Sequence, residues 1–404
     1  MYDTIVVGAR CAGSSLAMLL ARRGARVLLV DRASFPADIP HGHFIHRHGP
    51  RRLRDWGLLP AVAARTPAVT SMVFDLGDFP VLVHDPVEAG VAWGYGPRRT
   101  TPDKILVDAA VESGAELREG FAVSEFIFDN DRLVGIRGRG PAGVDVEERA
   151  TIVVGADGRN SRLARAVHAP LYNELPTILC YYFSYWSSVQ AETFELYSRD
   201  EQKRIIFSFR TEDDLYAVFV GQPVQEMGEV RRDIEGAFMR SLELVPGFAE
   251  RVRAGRREER FYGASDLPNF YRKPFGAGWA LVGDAGLHKD PYMALGICDA
   301  LRDAELLATA IDDGLVARRP IDQALADYER CRNELSRSDF NENVALARFT
   351  PPRPEVLAIR AAVRERPEDA TRFVKARMGM TDPAAFFNPR NLQQLLAGAE
   401  PSMN

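Results

Sequence analysis

A glycine-rich turn near the start of the sequence has the residue types and spacing of a phosphate-binding site. The turn, GARCAG, spans residues 8–13, follows an apolar run and opens a helical stretch. Glycines allow close backbone packing, and the first N–H groups of a helix attract an anion. Asp31 ends the next apolar run, about twenty residues after the glycines, where a carboxylate accepts hydrogen bonds from ribose hydroxyls. The pattern predicts a bound adenine dinucleotide, although Arg10 replaces the usual middle glycine.

Two later segments repeat the combination of an apolar run, glycine and aspartate. GADGRNS spans residues 155–161 and follows the apolar run 150–154, and GDAGLHKDPYMALGI spans residues 283–297 and follows the run 279–282. A glycine–aspartate turn in isolation is ordinary loop punctuation. Three such turns, each at the end of an apolar run, indicate a shared ligand site of which the first turn forms one half.

The elements that must position these turns alternate between strands and helices. Strands at residues 4–7 and 25–30 flank a helix at 14–23, which is a strand–turn–helix–strand unit. Alternating apolar residues predict a three-stranded meander over 116–149 and a mostly antiparallel, aromatic-rich sheet over 171–271. Helices are expected at residues 51–64, 103–113 and 229–244, from near Met293 to about Asp312, at 321–346, and after Pro354 to about Leu396.

Composition limits the classes of partner and compartment. With 404 residues the chain is long enough for two domains, and its net charge of −5 argues against nucleic acid as a partner. No apolar run approaches the ~20 residues needed to cross a bilayer, and the chain enters a strand at once, so we expect no membrane span and no signal peptide. The scattered cysteines predict reduced thiols in a cytoplasmic protein, and they are Cys11, Cys180, Cys298 and Cys331.

A loop over residues 32–50 contains four of the seven histidines, which are His41, His43, His46 and His48. Their density suggests a metal site, but Arg47, Arg51 and Arg52 crowd them with positive charge and only Asp38 adds a carboxylate. We therefore predict no metal. The loop either lines a ligand site or is a solvated surface loop, and both interpretations remain open.

Together the three motifs resemble those of class A FAD-dependent monooxygenases of the para-hydroxybenzoate hydroxylase fold, on a branch close to the geranylgeranyl reductase-like FAD oxidoreductases. The resemblance covers residues 1 to about 310. It implies an α/β fold with α+β elements: a Rossmann-type FAD-binding domain, an antiparallel β-sheet substrate domain and C-terminal helices. The implied ranges are 1–75, 97–170 and 276–350 for FAD binding, 76–96 and 171–275 for the substrate domain, and 351–404 for a C-terminal helical extension.

The resemblance also implies roles for individual residues. The FAD pyrophosphate would be held by Gly8, Ala12, Gly13 and Ser14, and the adenosine ribose by Asp31. The phosphates or the ribityl chain would be reached by Arg99, and the ribityl hydroxyls would be bound by Asp284. Both FAD and NAD(P)H would be contacted by Asp157 and Gly158, and the isoalloxazine edge by Pro291, Gly296 and Ile297. Arg10, Cys11, Arg32, Val123 and Gly283 complete the predicted cofactor set. The helix expected near Met293 would direct its positive end at flavin N1 and C2=O, which favours the reduced state.

The activity implied by the resemblance is an NAD(P)H-dependent monooxygenation. Molecular oxygen would react with the reduced flavin to give a C4a-hydroperoxide, which oxygenates an apolar or aromatic small molecule. The catalytic candidates are His43, Tyr181, Tyr185 and Tyr292, although an aromatic residue in this region is more often part of the sheet core. We expect a monomer or homodimer.

Two other functions remain open at this stage. A relative of the prenyl reductases would reduce C=C bonds with the same cofactor, and a non-catalytic flavin-binding redox module would bind FAD without turnover. A flavin halogenase is disfavoured because the sequence contains no WxWxIP segment.

Overall fold

The computed structural model describes residues 1–39, 42–84, 91–141 and 143–397, and it divides into two compact units. The first unit contains Met1–Arg65, Pro97–Thr177 and Leu267–Val344, and the second contains the described residues of Thr66–Gly96, Ile178–Asp266 and Ala345–Asn404. The predicted fold class, α/β with α+β elements, is confirmed.

The strands follow one another along the chain as β1 (Tyr2–Val7), β2 (Val27–Val30), β3 (Ile45–His46), β4 (Ser71–Asp75), β5 (Pro80–His84), β6 (Gly94–Tyr95), β7 (Glu116–Arg118), β8 (Ala122–Asp129), β9 (Arg132–Arg139), β10 (Asp145–Gly155), β11 (Leu171–Leu175), β12 (Leu179–Ser187), β13 (Phe194–Arg199), β14 (Arg204–Arg210), β15 (Tyr216–Pro223), β16 (Arg256–Arg257), β17 (Tyr262–Ala264), β18 (Asn269–Arg272), β19 (Phe275–Gly276), β20 (Trp279–Leu281) and β21 (Leu287–His288).

The α-helices are α1 (Cys11–Ala21), α2 (His48–Asp55), α3 (Leu59–Ala63), α4 (Thr100–Glu112), α5 (Arg162–Ala166), α6 (Met227–Arg232), α7 (Ile234–Leu242), α8 (Pro246–Ala254), α9 (Gly296–Leu315), α10 (Ile321–Ala347), α11 (Pro354–Arg364), α12 (Pro367–Arg377), α13 (Pro383–Phe386) and α14 (Pro389–Ala397).

The first unit is built on a sheet with the strand order β19-β20-β10-β1-β2-β7. The pairs from β20 to β7 are parallel, and the β8–β9 hairpin pairs with the first half of β10 in an antiparallel meander. All four residues of β2 are buried, as are the last four of β1 and of β10, which is the pattern of a sheet covered on both faces. This parallel core positions the turns at its strand ends.

The second unit is built on a sheet with the order β16-β12-β15-β14-β13-β4-β5, in which β17 also pairs with β12. All of these pairs are antiparallel except β13–β4. One face packs against α7 and α8 through a buried cluster that includes Tyr182, Trp186, Phe238 and Phe248. The alternate residues of the central strands therefore face the opposite side.

Several element bounds differ from those expected from the sequence. The strand expected over 116–128 is divided at Gly120, which has φ +61°, so β7 joins the parallel sheet while β8 belongs to the meander. The helix expected over 229–244 is divided at Asp233, whose carboxylate accepts a hydrogen bond from the Gly236 N–H (2.8 Å) and caps α7. The long helix begins at Gly296 rather than near Met293.

The limits of the units also differ from the expected domain ranges. They fall after Arg65, Thr177 and Asp266 instead of residues 75, 170 and 275, so β4 belongs to the second unit and β18 to the first. A change in apolar pattern marks a strand but not the sheet that it joins, and the expected domain ranges stay predictions.

Candidate functional site

Four parallel strands, β2, β1, β10 and β20, end at the same edge of the first unit's sheet. Val7 pairs with both Val30 and Gly155, and Gly155 pairs with Leu281. The residues that follow these positions are the three glycine-containing turns and Asp31. The structure therefore brings together motifs that are far apart in the sequence, at the edge where ligands of parallel sheets bind.

Close backbone packing holds the three turns against one another. Gly8 has φ +107°, and a Cβ there would overlap the carbonyl group of Ala156. A Cβ on Gly13 would overlap the carbonyl oxygen of Gly8, and one on Gly283 would lie 2.8 Å from the Cβ of Ala12. The contacts between the motifs thus require small residues at these positions.

The N-terminus of α1 is open to an anion. The helix begins at Cys11, directly after the turn, with no side-chain cap and no acidic residue in its first turn. Its first N–H groups carry a partial positive charge of about half an elementary charge, which suits a phosphate. Ser14 instead fixes the turn, because its hydroxyl donates to the Ala9 carbonyl (2.7 Å) and its N–H to the Arg10 carbonyl (2.9 Å). The donors and the glycine packing fit the pyrophosphate of FAD.

Asp31 stabilises the same turn with its carboxylate. Its Oδ2 accepts a hydrogen bond from the Ala9 N–H (2.7 Å) and its Oδ1 accepts one from the Ala33 N–H (2.8 Å). An ionised carboxylate has about four acceptor positions, so a ribose hydroxyl can still donate to it. Arg32, also in the predicted cofactor set, is exposed.

Arg10 occupies the middle-glycine position without backbone strain, since its φ of −99° and ψ of −164° are extended. Its side chain turns onto Asp103, with Nη1 2.6 Å from Oδ2, and its guanidinium lies 5.5 Å from the centre of the Phe35 ring. Arg99 donates to both oxygens of Asp103 (2.8 and 3.0 Å), and the Cys11 thiol donates to Oδ1 (3.2 Å). A fully buried carboxylate therefore holds two of the three arginines of the predicted cofactor set, Arg10 and Arg99.

Arg99 keeps its positive charge although its side chain is buried. Burial alone would lower the pKa of its guanidinium, but the negative charges of Asp103 and Asp284 raise that pKa above its ordinary value. Burial raises the pKa of the Cys11 thiol to about 12, so this thiol remains a hydrogen-bond donor. Arg99 is a permanent cation beside the turns.

The second motif is built around the start of α5. Asp157 Oδ2 accepts a hydrogen bond from the Arg162 N–H (2.6 Å), while its buried Oδ1 has no hydrogen-bond partner among the described residues. The Arg162 guanidinium donates to the Val123 carbonyl, and Gly158 has φ +78°. Asp157, Gly158 and Val123 thus share one neighbourhood, and the unpartnered oxygen of Asp157 fits a ligand hydroxyl or amide.

The third motif consists of two single turns of 3-10 helix, Gly283–Ala285 and Pro291–Met293, followed by α9. Asp284 is half-buried near Arg99, and Gly296 and Ile297 are the first two residues of α9. Contact of these residues with the ribityl chain and isoalloxazine stays a prediction.

The four catalytic candidates lie in two units. His43 (1% exposed) and Tyr292 (8%) belong to the first unit, on the loop before β3 and on the turn before α9. Tyr181 and Tyr185 (5% and 4%) lie on β12 of the second unit. Their catalytic roles stay predictions.

A row of stacked aromatic rings crosses the second unit's sheet on the face that carries Tyr181 and Tyr185. Phe207, Phe219, Phe183 and Tyr262 are directly opposite one another on β14, β15, β12 and β17. Successive ring centres are 4.6, 4.3 and 5.3 Å apart, with interplanar angles of 6°, 17° and 28°. Tyr185 meets two of these rings edge-on. We call these four stacked rings the aromatic row.

No metal site or membrane-spanning helix emerges from the described part of the chain. Across residues 1–39, 42–84, 91–141 and 143–397, no three His, Cys, Asp or Glu side chains are arranged to hold a metal ion, and no helix is long and apolar enough to cross a membrane. His41 of the histidine-rich loop lies outside the described residues.

Sequence reasoning missed Asp103 and the aromatic row. Asp103 follows Arg99 by four residues in the first turn of α4, and this spacing was the available signal. The row depends on the register of four strands, which no local pattern determines.

A family model described as an FAD binding domain matches residues 1–338. Digeranylgeranylglycerophospholipid reductase 1 of Methanopyrus kandleri is 30% identical over 315 residues, which cover 74% of this chain and 77% of the relative.

Two solved structures share the fold. The myxobacterial chondrochloren halogenase CndH has a TM-score of 0.78 at 22% identity, covering 98% of this chain and 96% of that one. PqsL of Pseudomonas aeruginosa, solved in complex with 2-aminobenzoylacetate, has a TM-score of 0.72 at 20% identity, covering 86% of this chain and 95% of that one. At these identities the similarity concerns the fold.

Proposed function

The chain belongs to the FAD-binding family of flavoprotein oxidoreductases, and from this premise we propose that it is an NAD(P)H-dependent monooxygenase acting on an apolar or aromatic small molecule. The observation that carries the proposal is the aromatic row. Its rings stack face to face along the row at the spacing of the strands, so their edges point away from the sheet. Ring edges carry the positive part of the aromatic quadrupole and attract the π face of another ring. Phe183, Phe207 and Phe219 are only 3–8% exposed, so these rings would line an enclosed site for a flat, electron-rich substrate.

The cofactor would be held by the edge of the parallel sheet. The N–H groups at the start of α1 would bind the pyrophosphate, Asp31 the adenosine ribose, and Asp284 the ribityl hydroxyls, with Arg99 as a fixed cation nearby. The chemistry that FAD supplies when bound is hydride transfer from NAD(P)H and activation of molecular oxygen. The chain's own contribution is binding, orientation and exclusion of water.

His43 is the best candidate for moving a proton. It is 1% exposed and follows the dinucleotide-binding unit in the sequence. An imidazole in such a place would accept a phenol or amine proton as the substrate reacts. Tyr292, Tyr181 and Tyr185 would instead orient the substrate through their rings or hydroxyl groups.

A second candidate function is the reduction of C=C bonds. It is favoured by the 30% identity to a digeranylgeranylglycerophospholipid reductase over 74% of the chain. The same apolar surface would then receive a prenyl chain, and no oxygen would be consumed.

Oxygen uptake coupled to NAD(P)H oxidation separates these functions. The purified flavoprotein is supplied with NADPH or NADH and a set of phenols, aryl amines and prenyl lipids, in air and without oxygen. A monooxygenase consumes one O2 per NAD(P)H with its substrate and stops after one reduction in the absence of oxygen. Sustained anaerobic turnover on a prenyl lipid would instead establish the reductase. Bound FAD without NAD(P)H oxidation under any condition would indicate the redox module.

Halide is an additional arm of the same experiment. CndH is a halogenase, but this sequence contains no WxWxIP segment. We expect the product mass to increase by one oxygen atom with or without bromide, and a brominated product would contradict the monooxygenase proposal.

A further inference from the structure

Residues 290–294 form the turn that leads into α9, and the side chain of Asn343 bridges it. Asn343 lies on α10 and is fully buried (0% exposed). Its Nδ2 donates to the Asp290 carbonyl (2.8 Å) and its Oδ1 accepts from the Met293 N–H (3.0 Å). One side-chain amide therefore provides a hydrogen-bond partner for a main-chain group at each end of the Pro291–Met293 turn.

His46 binds the same turn from another element. Its Nε2 lies 3.0 Å from the Met293 carbonyl oxygen, which can only accept, so this nitrogen carries the ring proton. The carbonyl of His46 accepts from the thiol of Cys298 (3.1 Å) in the first turn of α9. Burial, with the nearby Arg47, lowers the pKa of His46 to about 3. The imidazole is therefore a neutral donor throughout the working pH range.

The turn needs these partners because its backbone is unusual. Ala294 has φ +51° and ψ 33°, a left-handed conformation that residues with a Cβ adopt rarely. At the other end, the Asp290 N–H donates to Oδ1 of the buried Asn269 (2.7 Å). Backbone strain of this kind persists where many neighbouring contacts fix the conformation, and it is found most often at functional sites.

We propose that His46 and Asn343 are positioning residues that hold the 290–294 turn and the start of α9 in place against the flavin. The proposal rests on the proposed placement of FAD, in which Pro291, Gly296 and Ile297 face the isoalloxazine. A helix of twenty residues presents a partial positive charge at its first N–H groups. The negative charge of reduced flavin lies on N1 and C2=O. The helix charge would stabilise it only while the start of α9 stays directed at those two groups. His46 and Asn343 would thus raise the midpoint potential of the bound flavin.

The test compares two substitutions of one buried ring. His46→Leu removes the donor to the Met293 carbonyl, whereas His46→Gln retains an amide donor in the same direction. We expect the midpoint potential of the purified flavoprotein to become more negative in His46→Leu and to return toward the wild-type value in His46→Gln. FAD affinity, measured by reconstitution of the apoprotein, should fall roughly fivefold in the leucine variant, which is the loss of one hydrogen bond.

Asn343→Leu provides a second test, and Ser336→Ala is its matched control. Ser336 is also on α10 and 0% exposed, and its hydroxyl bonds Tyr271 (3.0 Å) rather than the turn. We expect Asn343→Leu to lower the potential and Ser336→Ala to leave it unchanged. An unchanged potential in His46→Leu that still binds FAD, or an equal shift in Ser336→Ala, would overturn the proposal. Failure of the wild-type protein to oxidise NAD(P)H would reject the proposed function without affecting this comparison.

Discussion

At the scale of single residues, Asp103 is the group on which the charges beside the first turn depend. Its carboxylate is 0% exposed and accepts hydrogen bonds from Arg10, Arg99 and Cys11. Arg99 is itself 8% exposed, so its charge has little access to water. Removing one partner from a buried ion pair leaves an uncompensated charge, which costs more than the pair contributed.

Asp103→Asn should therefore destabilise the protein by about 3 kcal/mol, because it removes the hydrogen-bonded countercharge that the buried Arg99 guanidinium shares with Arg10. The substitution retains the size of the side chain and one acceptor oxygen, which separates the loss of charge from a loss of packing. Urea unfolding of the FAD-free protein, followed by circular dichroism, measures the change in the free energy of unfolding.

The matched control is Asp108→Asn on the same helix. Asp108 pairs with Lys104 at the same four-residue spacing, but the two side chains are 49% and 40% exposed. Exposed pairs contribute at most about 1 kcal/mol, so this variant should unfold close to the wild-type midpoint. Equal losses in the two variants would show that burial of Asp103 does not determine its contribution.

At the scale of elements, the packing of α1 on β1 depends on the absence of a side chain at Gly13. A Cβ at this position would overlap the Gly8 carbonyl oxygen, and the nearby side-chain atom is Ala156 Cβ at 3.0 Å. Both neighbours belong to the turns that form the site, so the clash cannot be relieved by rotation of a flexible side chain.

Gly13→Ala should cost about 3 kcal/mol or more, because the helix must move away from the strand. The control is Gly228→Ala in α6, where nothing lies within 4 Å of an added Cβ and alanine has the higher helix propensity. Thermal unfolding of the two variants measures the difference. Tolerance of Gly13→Ala with unchanged FAD content would contradict the close contact of the first helix with its turn.

The sequence predicted some elements in the right place, but it did not predict the ends of others. The strand–turn–helix–strand unit is local, and its glycines, apolar runs and acid predicted it in the right place. The start of α9 was predicted three residues too early because the 290–294 turn is stabilised by Asn343 and His46, which are distant in the sequence. The bond from Arg10 to Asp103 joins residues that are distant in the sequence, so no local pattern indicated it, and contact of Arg10 with the cofactor stays a prediction. Local signals thus predicted the elements, and tertiary contacts determined their ends and side-chain directions.

At the scale of the whole molecule, the candidate site of the first unit is assembled from three segments separated by long stretches of chain. Residues 8–14, 155–163 and 283–298 meet because β1, β10 and β20 are parallel neighbours whose carboxyl ends share one edge. A ligand bound by all three segments links them thermodynamically, since its binding energy is available only while the edge is intact.

FAD binding should therefore slow amide hydrogen exchange in all three segments at the same time. Their N–H groups become donors to the ligand or are covered by it, and the local openings that permit exchange become less frequent. At a free FAD concentration 100 times its dissociation constant, the stabilisation of the bound state is about 2.7 kcal/mol. Mass spectrometry of peptides from the FAD-free and FAD-bound protein measures the change.

Peptides from α12 and α13 of the second unit serve as the internal control and should exchange at the same rate in both samples. Protection limited to the first segment would show that the second and third motifs do not contact the cofactor, and it would reduce the site to a mononucleotide-sized pocket at α1.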